Sequence, residues 1–387
     1  MYYVTWPQIH QNTQLRQTDL ADLLAQLYGQ QPAQLQQTQT CRNIKFMPTM
    51  TRELTQDEMV QRDRIVPGPY VAELQRLATE ADAYIEEHGK MYHTFQIPKA
   101  AGGLRTIQAP EDGLKDLQRH IAHAMQYAPN QRFPMVYAHN AAYAYIPGRS
   151  PKEALITHQQ HGSKWFLKLD IKDFFPSIDT TFLVDTLCHI WPFCYVRHNV
   201  LLSLMNACTL DGKLPQGSPA SPFLSNMVML PYDKAISDVL FNFDGHFHIY
   251  TRYADDLLIS SRQEINLAVV INKIAECLIP TPFVLKPEKT RYGSSAGRNW
   301  NLGLMLNKDN QITVGHMTKQ ALRAAVNNFL VGWKLDQPWD AEDTQKLVGE
   351  LGYLKHIEPE YFEHMMTKAQ TKLGLNFRTV VKAILNP

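Results

Sequence analysis

Two adjacent carboxylates lie inside an apolar predicted hairpin, in the sequence Arg252-Tyr253-Ala254-Asp255-Asp256-Leu257-Leu258-Ile259. Neighbouring aspartates repel each other, and the local sequence offers neither of them an obvious partner. A divalent cation such as Mg²⁺ would offset the repulsion, because it takes oxygen ligands and is usually held by one or two carboxylates. A second predicted strand, Trp165 to Ile171, reaches Asp170 near its end and could supply a third carboxylate across a sheet. Taken alone, such a pair is more often a solvated turn.

Length and composition indicate a large globular protein. The chain has 387 residues, of which 44% are hydrophobic and 19% charged, which predicts two to three domains or one multi-lobed enzyme. The net charge of +1 means that any polyanion must be bound by locally gathered positive charge. The sequence shows neither a signal peptide nor a membrane span. Five cysteines without a CxxC pair favour reduced thiols and a cytoplasmic location.

Periodicity predicts both helices and hairpins along the chain. Short alternating runs on either side of Gly102-Gly103 predict one hairpin, and the run from His246 to Ser260 predicts another. The predicted helices follow Thr18 or Asp19 and then occupy Val71 to Glu87, Gly113 to Tyr127, Ser221 to Leu230, Met317 to Leu330 and much of Thr344 to Leu385.

A cysteine–histidine cluster between residues 188 and 198 invites a zinc interpretation. Its members are Cys188, His189, Cys194 and His198. Their spacing fits no usual zinc site, and aromatic residues surround them. We therefore predict a buried apolar helix here.

Three motifs occur together in the order and spacing of reverse transcriptases. They are the Asp255-Asp256 stretch, Leu169 to Ile178, and Leu214 to Pro222. The sequence resembles that family from about Tyr92 to Arg323. The resemblance implies an α+β fold of the right-hand polymerase type, with fingers, a palm of antiparallel sheet plus helices, and a helical thumb. It divides the chain into an N-terminal helical extension (1–90), fingers and palm (91–310) and thumb (311–387).

The resemblance also implies a catalytic site. Asp170, Asp255 and Asp256 would hold two Mg²⁺ ions, with Mn²⁺ as an alternative, and the backbone carbonyl of Ile171 would be a further metal ligand. The reaction would be two-metal phosphoryl transfer.

Several further residues are implied to bind the nucleotide and the primer. Phe175 would lie beneath the sugar and exclude a 2′-hydroxyl, which favours deoxynucleotides; Phe174 beside it would be a core residue, since strand neighbours point to opposite faces. For Lys99 and Arg105, a solvated turn position remains the alternative to phosphate binding. The nucleotide-binding set is Lys99, Arg105, Phe175, Gln216, Gly217 and Lys289, and the primer-grip residues are Leu302 and Gly303.

The subclass stays open between retron enzymes and defence-associated reverse transcriptases. Tyr92 to Lys99 looks retron-like, and Glu153 to His158 resembles the retron NAxxH motif. Retrons, however, usually show VTG before the strand that in this chain reads Trp300 to Leu304. Either subclass implies a non-coding RNA as template and primer, nascent DNA, deoxynucleoside triphosphates and a role in antiphage defence, without a membrane. An effector protein or a second copy of the chain is a further candidate partner. An RNA-synthesising or template-independent polymerase and a catalytically idle RNA scaffold are the alternatives.

Overall fold

The computed structural model describes residues 68–84, 88–98, 102–126, 138–241, 245–295 and 302–385. The Gln-rich segment, its predicted helix and Lys99 lie outside these ranges. The chain forms two compact units. The first takes the described residues up to Pro147 with Leu167–Ile259 and Ile265–Tyr292, and the second takes Gly148–Phe166, Ser260–Glu264 and the described residues from Gly293 onward. The predicted extents of extension, fingers and palm, and thumb stay predictions.

Helices account for most of the described residues. In chain order they are α1 (Gly68–Asp82), α2 (Asp112–Gln126), α3 (Pro151–His161), α4 (Phe174–Ser177), α5 (Thr180–Leu187), α6 (His198–Cys208), α7 (Ser221–Leu240), α8 (Leu267–Leu278), α9 (His316–Lys334), α10 (Ala341–Ile357), α11 (Pro359–Leu373) and α12 (Phe377–Leu385).

The strands form three sheets within the described part of the chain. They are β1 (Tyr92–Pro98), β2 (Leu104–Pro110), β3 (Trp165–Asp170), β4 (Ile249–Tyr253), β5 (Asp256–Ser261), β6 (Arg291–Ser294), β7 (Met305–Leu306) and β8 (Ile312–Thr313). The central sheet has the order β4-β5-β3-β6, while β1-β2 and β7-β8 are antiparallel pairs. Both predicted hairpins are confirmed, and the mixture of helices with antiparallel sheet agrees with the predicted α+β class.

The core of the first unit is built around α7. From Phe223 to Leu230 every side chain is buried, as expected of a helix with apolar residues on all sides. The helix packs against β4, α5 and α8. The hairpin that carries Asp255 and Asp256 therefore packs against a helix whose first half is buried.

The cysteine–histidine region is not one buried helix, so that prediction is wrong. Helices α5 and α6 are separate, with a 3₁₀ turn at Phe193–Tyr195 between them. Pro192 has no backbone N–H and cannot continue a helix. Cys188 is half-buried and Cys194 is exposed.

The second unit contains the C-terminal helices α9 to α12, which pack on one another. The ring of Phe329 lies at their centre, 5.7 Å from the ring of Trp339 and 5.1 Å from that of Phe377. Across the part of the chain that the structure describes, every helix is too short or too polar to span a bilayer.

Candidate active site

Three carboxylates converge at one edge of the central sheet. Asp170 ends β3, Asp256 begins β5, and Asp255 lies in the β4–β5 turn. Strands β3 and β5 are neighbours, and the Ile171 amide donates to the Asp255 carbonyl at 2.9 Å. The structure therefore brings the end of β3 next to the start of β5.

Two lysines bind two of these carboxylates. The Lys289 ammonium lies 2.6 Å from Asp170 Oδ2, and the Lys168 ammonium lies 2.9 Å from Asp256 Oδ2. We call these two lysines and the three aspartates the carboxylate cluster. Sequence reasoning gave Lys168 no role, although it stands two residues before Asp170 and therefore on the same face of β3.

Backbone pairing explains how Lys289 reaches Asp170. The Lys286 amide donates to the Asp170 carbonyl at 2.7 Å, and the Lys172 amide donates to the Val284 carbonyl at 2.8 Å. The chain then turns through a short 3₁₀ segment, Pro287–Lys289. This turn brings the lysine over the end of β3.

The electrostatics of the cluster favour added positive charge. Burial raises the pKa of all three carboxyls, and each has a neighbouring aspartate that raises it further, while the lysines oppose the shift. Burial alone would lower the pKa of Lys289, but the bond to Asp170 and the nearby aspartates leave it raised. Partly buried carboxylates that repel one another are stabilised by any cation that reaches them.

The donor chemistry of this edge fits a divalent metal ion, although a ready-made cage is absent. Among the described residues, no three His, Cys, Asp or Glu side chains are arranged as a metal-binding group. Two of the three carboxylates are bonded to lysines instead. Because Mg²⁺ needs only one or two carboxylates and keeps other positions for water and phosphate, Asp170, Asp255 and Asp256 suit such an ion.

The predicted sugar-contacting residue lies beside an aromatic neighbour that the sequence did not reveal. Phe175 is half-buried at the start of α4, whereas Phe174 is buried. The different burial was predicted, but the two residues sit on a short helix and not on a strand. The Tyr145 ring is 6.1 Å from Phe175 and is 46% exposed. Burial and the charge of Asp255 raise the Tyr145 pKa.

The Gln216–Gly217 turn is joined to the β1–β2 hairpin. The Gln108 amide donates to the Gln216 carbonyl at 2.7 Å. Gly217 has φ +140°, and a Cβ added there would lie 2.6 Å from the Gln108 carbonyl oxygen. Only glycine permits this approach, which gives a structural reason for Gly217 beside the predicted nucleotide contact.

The other predicted site residues have less defined surroundings. Arg105 is exposed on β2, and Lys99 lies outside the described residues. Leu302 and Gly303 both have left-handed backbone, with φ of 56° and 81°, which confirms a turn in the second unit. Their grip on a primer stays a prediction.

Comparison with known proteins decides the family. Residues 97–322 match the family described as reverse transcriptase (RNA-dependent DNA polymerase). This match covers more than half of the chain. The chain belongs to the reverse transcriptase family. It is an RNA-directed DNA polymerase, and the family's dependence on divalent metal ions agrees with the donor chemistry at the carboxylate cluster.

The relatives of this enzyme are retron reverse transcriptases of bacteria. The retron Ec73 enzyme of Escherichia coli is 29% identical over 76% of this chain and 89% of its own. The retron Ec83 enzyme of the same organism is 29% identical, with 72% and 86% covered. The retron Mx65 enzyme of Myxococcus xanthus is 30% identical, with 74% and 66% covered. These similarities make the enzyme retron-like despite the absent VTG.

Solved structures show a more distant likeness. Telomerase from Candida albicans, in complex with a fragment of telomeric RNA, is 11% identical with a TM-score of 0.41, and the match covers 78% of this chain and 59% of that one. Apo telomerase from Candida tropicalis is 12% identical with a TM-score of 0.42, covering 76% and 61%. The family assignment rests on the sequence match.

Proposed function

We propose that this reverse transcriptase copies a structured non-coding RNA into DNA by two-metal phosphoryl transfer. Asp170, Asp255 and Asp256 are its catalytic and metal-binding residues. The supporting observation is the convergence of these three carboxylates at one sheet edge with two lysines as their counter-ions. We propose two Mg²⁺ ions, with Mn²⁺ as a substitute, and the Ile171 carbonyl as an additional ligand.

The protein's own charged side chains would bind the ions and the triphosphate at this end of the sheet. When bound, the metal ions would polarise the primer 3′-hydroxyl and neutralise the triphosphate and its leaving group. Asp170 and Asp255 keep negative charge at the sheet edge, and the neighbouring cations favour that ionised form. Lys289, 50% exposed and already at the site, offers a positive charge to the departing pyrophosphate. Arg105 on β2, together with Lys99, would bind the triphosphate.

Substituting the aspartates tests the chemistry. We expect Asp255→Asn with Asp256→Asn to abolish DNA synthesis while leaving the protein folded, because the amides cannot hold a cation in place of carboxylates. Primer extension on a defined RNA template measures activity, and circular dichroism measures folding. Asp116→Asn is the matched control, since Asp116 is an exposed carboxylate on α2 that bonds Arg119 at 2.8 Å. Full synthesis by the double variant would refute the assignment.

Sugar selection is proposed to depend on Phe175. A bulky apolar ring beneath the sugar excludes a 2′-hydroxyl by contact and by leaving it without a hydrogen bond. We expect Phe175→Val to raise the ratio of ribonucleotide to deoxynucleotide incorporation by at least about 10-fold, in the range of one lost apolar contact. Phe174→Leu is the control, since Phe174 is buried in the core. An unchanged ratio in Phe175→Val would place sugar selection elsewhere.

The remaining contacts and the biological role are proposals of the same kind. Gln216 and Gly217 would lie against the incoming nucleotide, and Leu302 and Gly303 would support the primer. The similarity to retron reverse transcriptases supports an RNA template. We propose that this RNA is structured and also supplies the primer, and that the enzyme acts in antiphage defence in the cytoplasm. Sequencing the nucleic acid that co-purifies with the wild-type enzyme, in parallel with Asp255→Asn, tests this. DNA complementary to one non-coding RNA should be present only with the wild type, and protection against phage should disappear in the variant.

A further inference from the structure

A buried ion pair lies directly behind the catalytic turn. Arg252 on β4 and Asp233 on α7 are both fully buried. The Arg252 Nε donates to Asp233 Oδ1 at 2.8 Å, and its Nη2 donates to Asp233 Oδ2 at 2.7 Å. This two-pronged contact fixes the plane of the guanidinium. We call Arg252 and Asp233 the buried pair.

The third nitrogen of the guanidinium, Nη1, bonds the turn that carries Asp255. Arg252 Nη1 donates to the carbonyl of Ala254 at 3.1 Å. Ala254 has φ +57°, a left-handed conformation that residues with a Cβ rarely adopt. It immediately precedes Asp255, so the hydrogen bond holds the peptide unit that joins Ala254 to the proposed catalytic residue.

Other bonds hold Arg252 itself in place. Its amide donates to the Ala141 carbonyl at 2.6 Å, and its carbonyl accepts from the Tyr143 amide at 2.8 Å. Its Nη2 also donates to Asn226 Oδ1 at 3.0 Å, and the Asn226 amide group donates to the Ala144 carbonyl at 2.9 Å. These bonds fix the position of the guanidinium. The hydrogen bond from Nη1 therefore constrains the position of the Ala254 carbonyl.

We propose that Arg252 is a positioning residue for DNA synthesis: anchored on Asp233, it holds the Ala254 carbonyl and thereby aims Asp255. The proposal rests on the catalytic role proposed for Asp255. A structural pair would need only charge balance, whereas a positioning pair also needs the third contact to Ala254. These two requirements can be separated by substitution.

The decisive variant replaces both members of the buried pair by apolar residues, Arg252→Met with Asp233→Leu. A buried ion pair can often be replaced in this way without loss of stability, whereas removal of one partner is costly. We expect Arg252→Met alone to lower the melting temperature by roughly 10 °C and the double variant to regain it. The double variant should still show a kcat about 100-fold lower, the size of effect that a small misplacement of a catalytic group produces. Its KM for the deoxynucleotide and its affinity for primer–template should match the wild type.

Two further variants keep the test decisive. Leu204→Ala removes a fully buried side chain on α6 and should lower the melting temperature without lowering kcat at a temperature where the protein is folded. If the double variant does not fold, Arg252→Lys replaces it. A lysine retains charge for Asp233 but lacks the planar fork that also reaches Ala254, so kcat should fall at a temperature where Leu204→Ala and Arg252→Lys are both folded and only Leu204→Ala keeps the wild-type kcat.

The outcomes separate this proposal from the proposed function. A double variant that regains both stability and kcat overturns the positioning role, as does Arg252→Lys with wild-type kcat. If Asp255→Asn retains full DNA synthesis, the proposed catalytic site is wrong, independently of the result with the Arg252 variants. If Asp255→Asn is inactive and the double variant is fully active, only the positioning role fails.

Discussion

Two groups of opposite charges meet at the β4–β5 hairpin of this enzyme, and they are built differently. In the carboxylate cluster the lysines are partly open to solvent, with Lys289 50% and Lys168 24% exposed. In the buried pair, Arg252 and Asp233 are both 0% exposed. The first group has an excess of carboxylates over lysines, whereas the second is balanced.

The difference separates a site that exchanges ions from one that does not. An ammonium on a flexible side chain near solvent gains little from its ion pair and can give way to another cation. A guanidinium buried with its carboxylate cannot leave without stranding a charge in the core. Replaceable counter-ions therefore lie at the proposed metal and substrate site, and a permanent ion pair lies behind the turn that carries Asp255.

The largest difference in the free energy of unfolding is expected when one aspartate charge is removed from the buried pair and, separately, from the carboxylate cluster. Asp233→Asn leaves Arg252 buried without a counter-charge and should lower the free energy of unfolding by about 3–5 kcal/mol. Asp255→Asn relieves repulsion between carboxylates and should leave that free energy unchanged or slightly higher, because catalytic sites are commonly held at a cost to stability. Urea denaturation without divalent ions measures both. Equal losses in the two variants would contradict the distinction.

The pH dependence of stability sharpens the comparison. Burial raises the pKa of Asp255 above its ordinary value of 3.8, and the charge of Asp256 raises it further. A carboxyl whose pKa is raised on folding stabilises the protein below its ordinary pKa, and this contribution is lost as pH rises through the raised value. Without divalent ions, the stability of the wild type relative to Asp255→Asn should therefore fall as pH increases from about 4 towards neutrality.

Magnesium should reverse that fall at neutral pH. An ion that binds only the folded protein adds about 2.7 kcal/mol at 100 times its dissociation constant. The melting temperature of the wild type should rise with Mg²⁺, and that of Asp255→Asn should rise much less. Relative stability that increases with pH, or equal shifts with Mg²⁺ in both proteins, would show that the aspartates do not form an ion site.

The sequence predicted the three aspartates of the carboxylate cluster because each of them stands in a recognisable local motif. Asp170 and the Asp255-Asp256 pair each stand at a strand end within a recognisable motif, and adjacent strands bring such ends together. The partner of Lys168 could not be predicted in the same way. It depends on β3 lying next to β5, which the order of strands along the chain does not reveal.

The buried pair was missed because it depends on tertiary packing. Asp233 stands next to Lys234 in the sequence of α7, and only the contact of α7 with β4 brings it to Arg252. The prediction that Phe174 and Phe175 lie on a strand was wrong, although their different burial was predicted correctly. Asp173 adopts a left-handed backbone and α4 begins after it, so helical geometry, not strand alternation, decides which ring is buried.

The smallest expected effect comes from removing a replaceable counter-ion. Lys168→Met should change the free energy of unfolding by no more than about 1 kcal/mol, because partly exposed ion pairs contribute little. The lysine and Mg²⁺ compete for Asp256, so the Mg²⁺ concentration giving half of the thermal shift should fall by up to about 5-fold, the equivalent of 1 kcal/mol. Lys234→Met is the control, because Lys234 pairs with Asp238 at 2.8 Å on the exposed side of α7. A requirement for more Mg²⁺ in Lys168→Met would mean that Lys168 supports the ion site and does not compete with it, and the distinction between replaceable and permanent counter-ions would then hold for Lys289 alone.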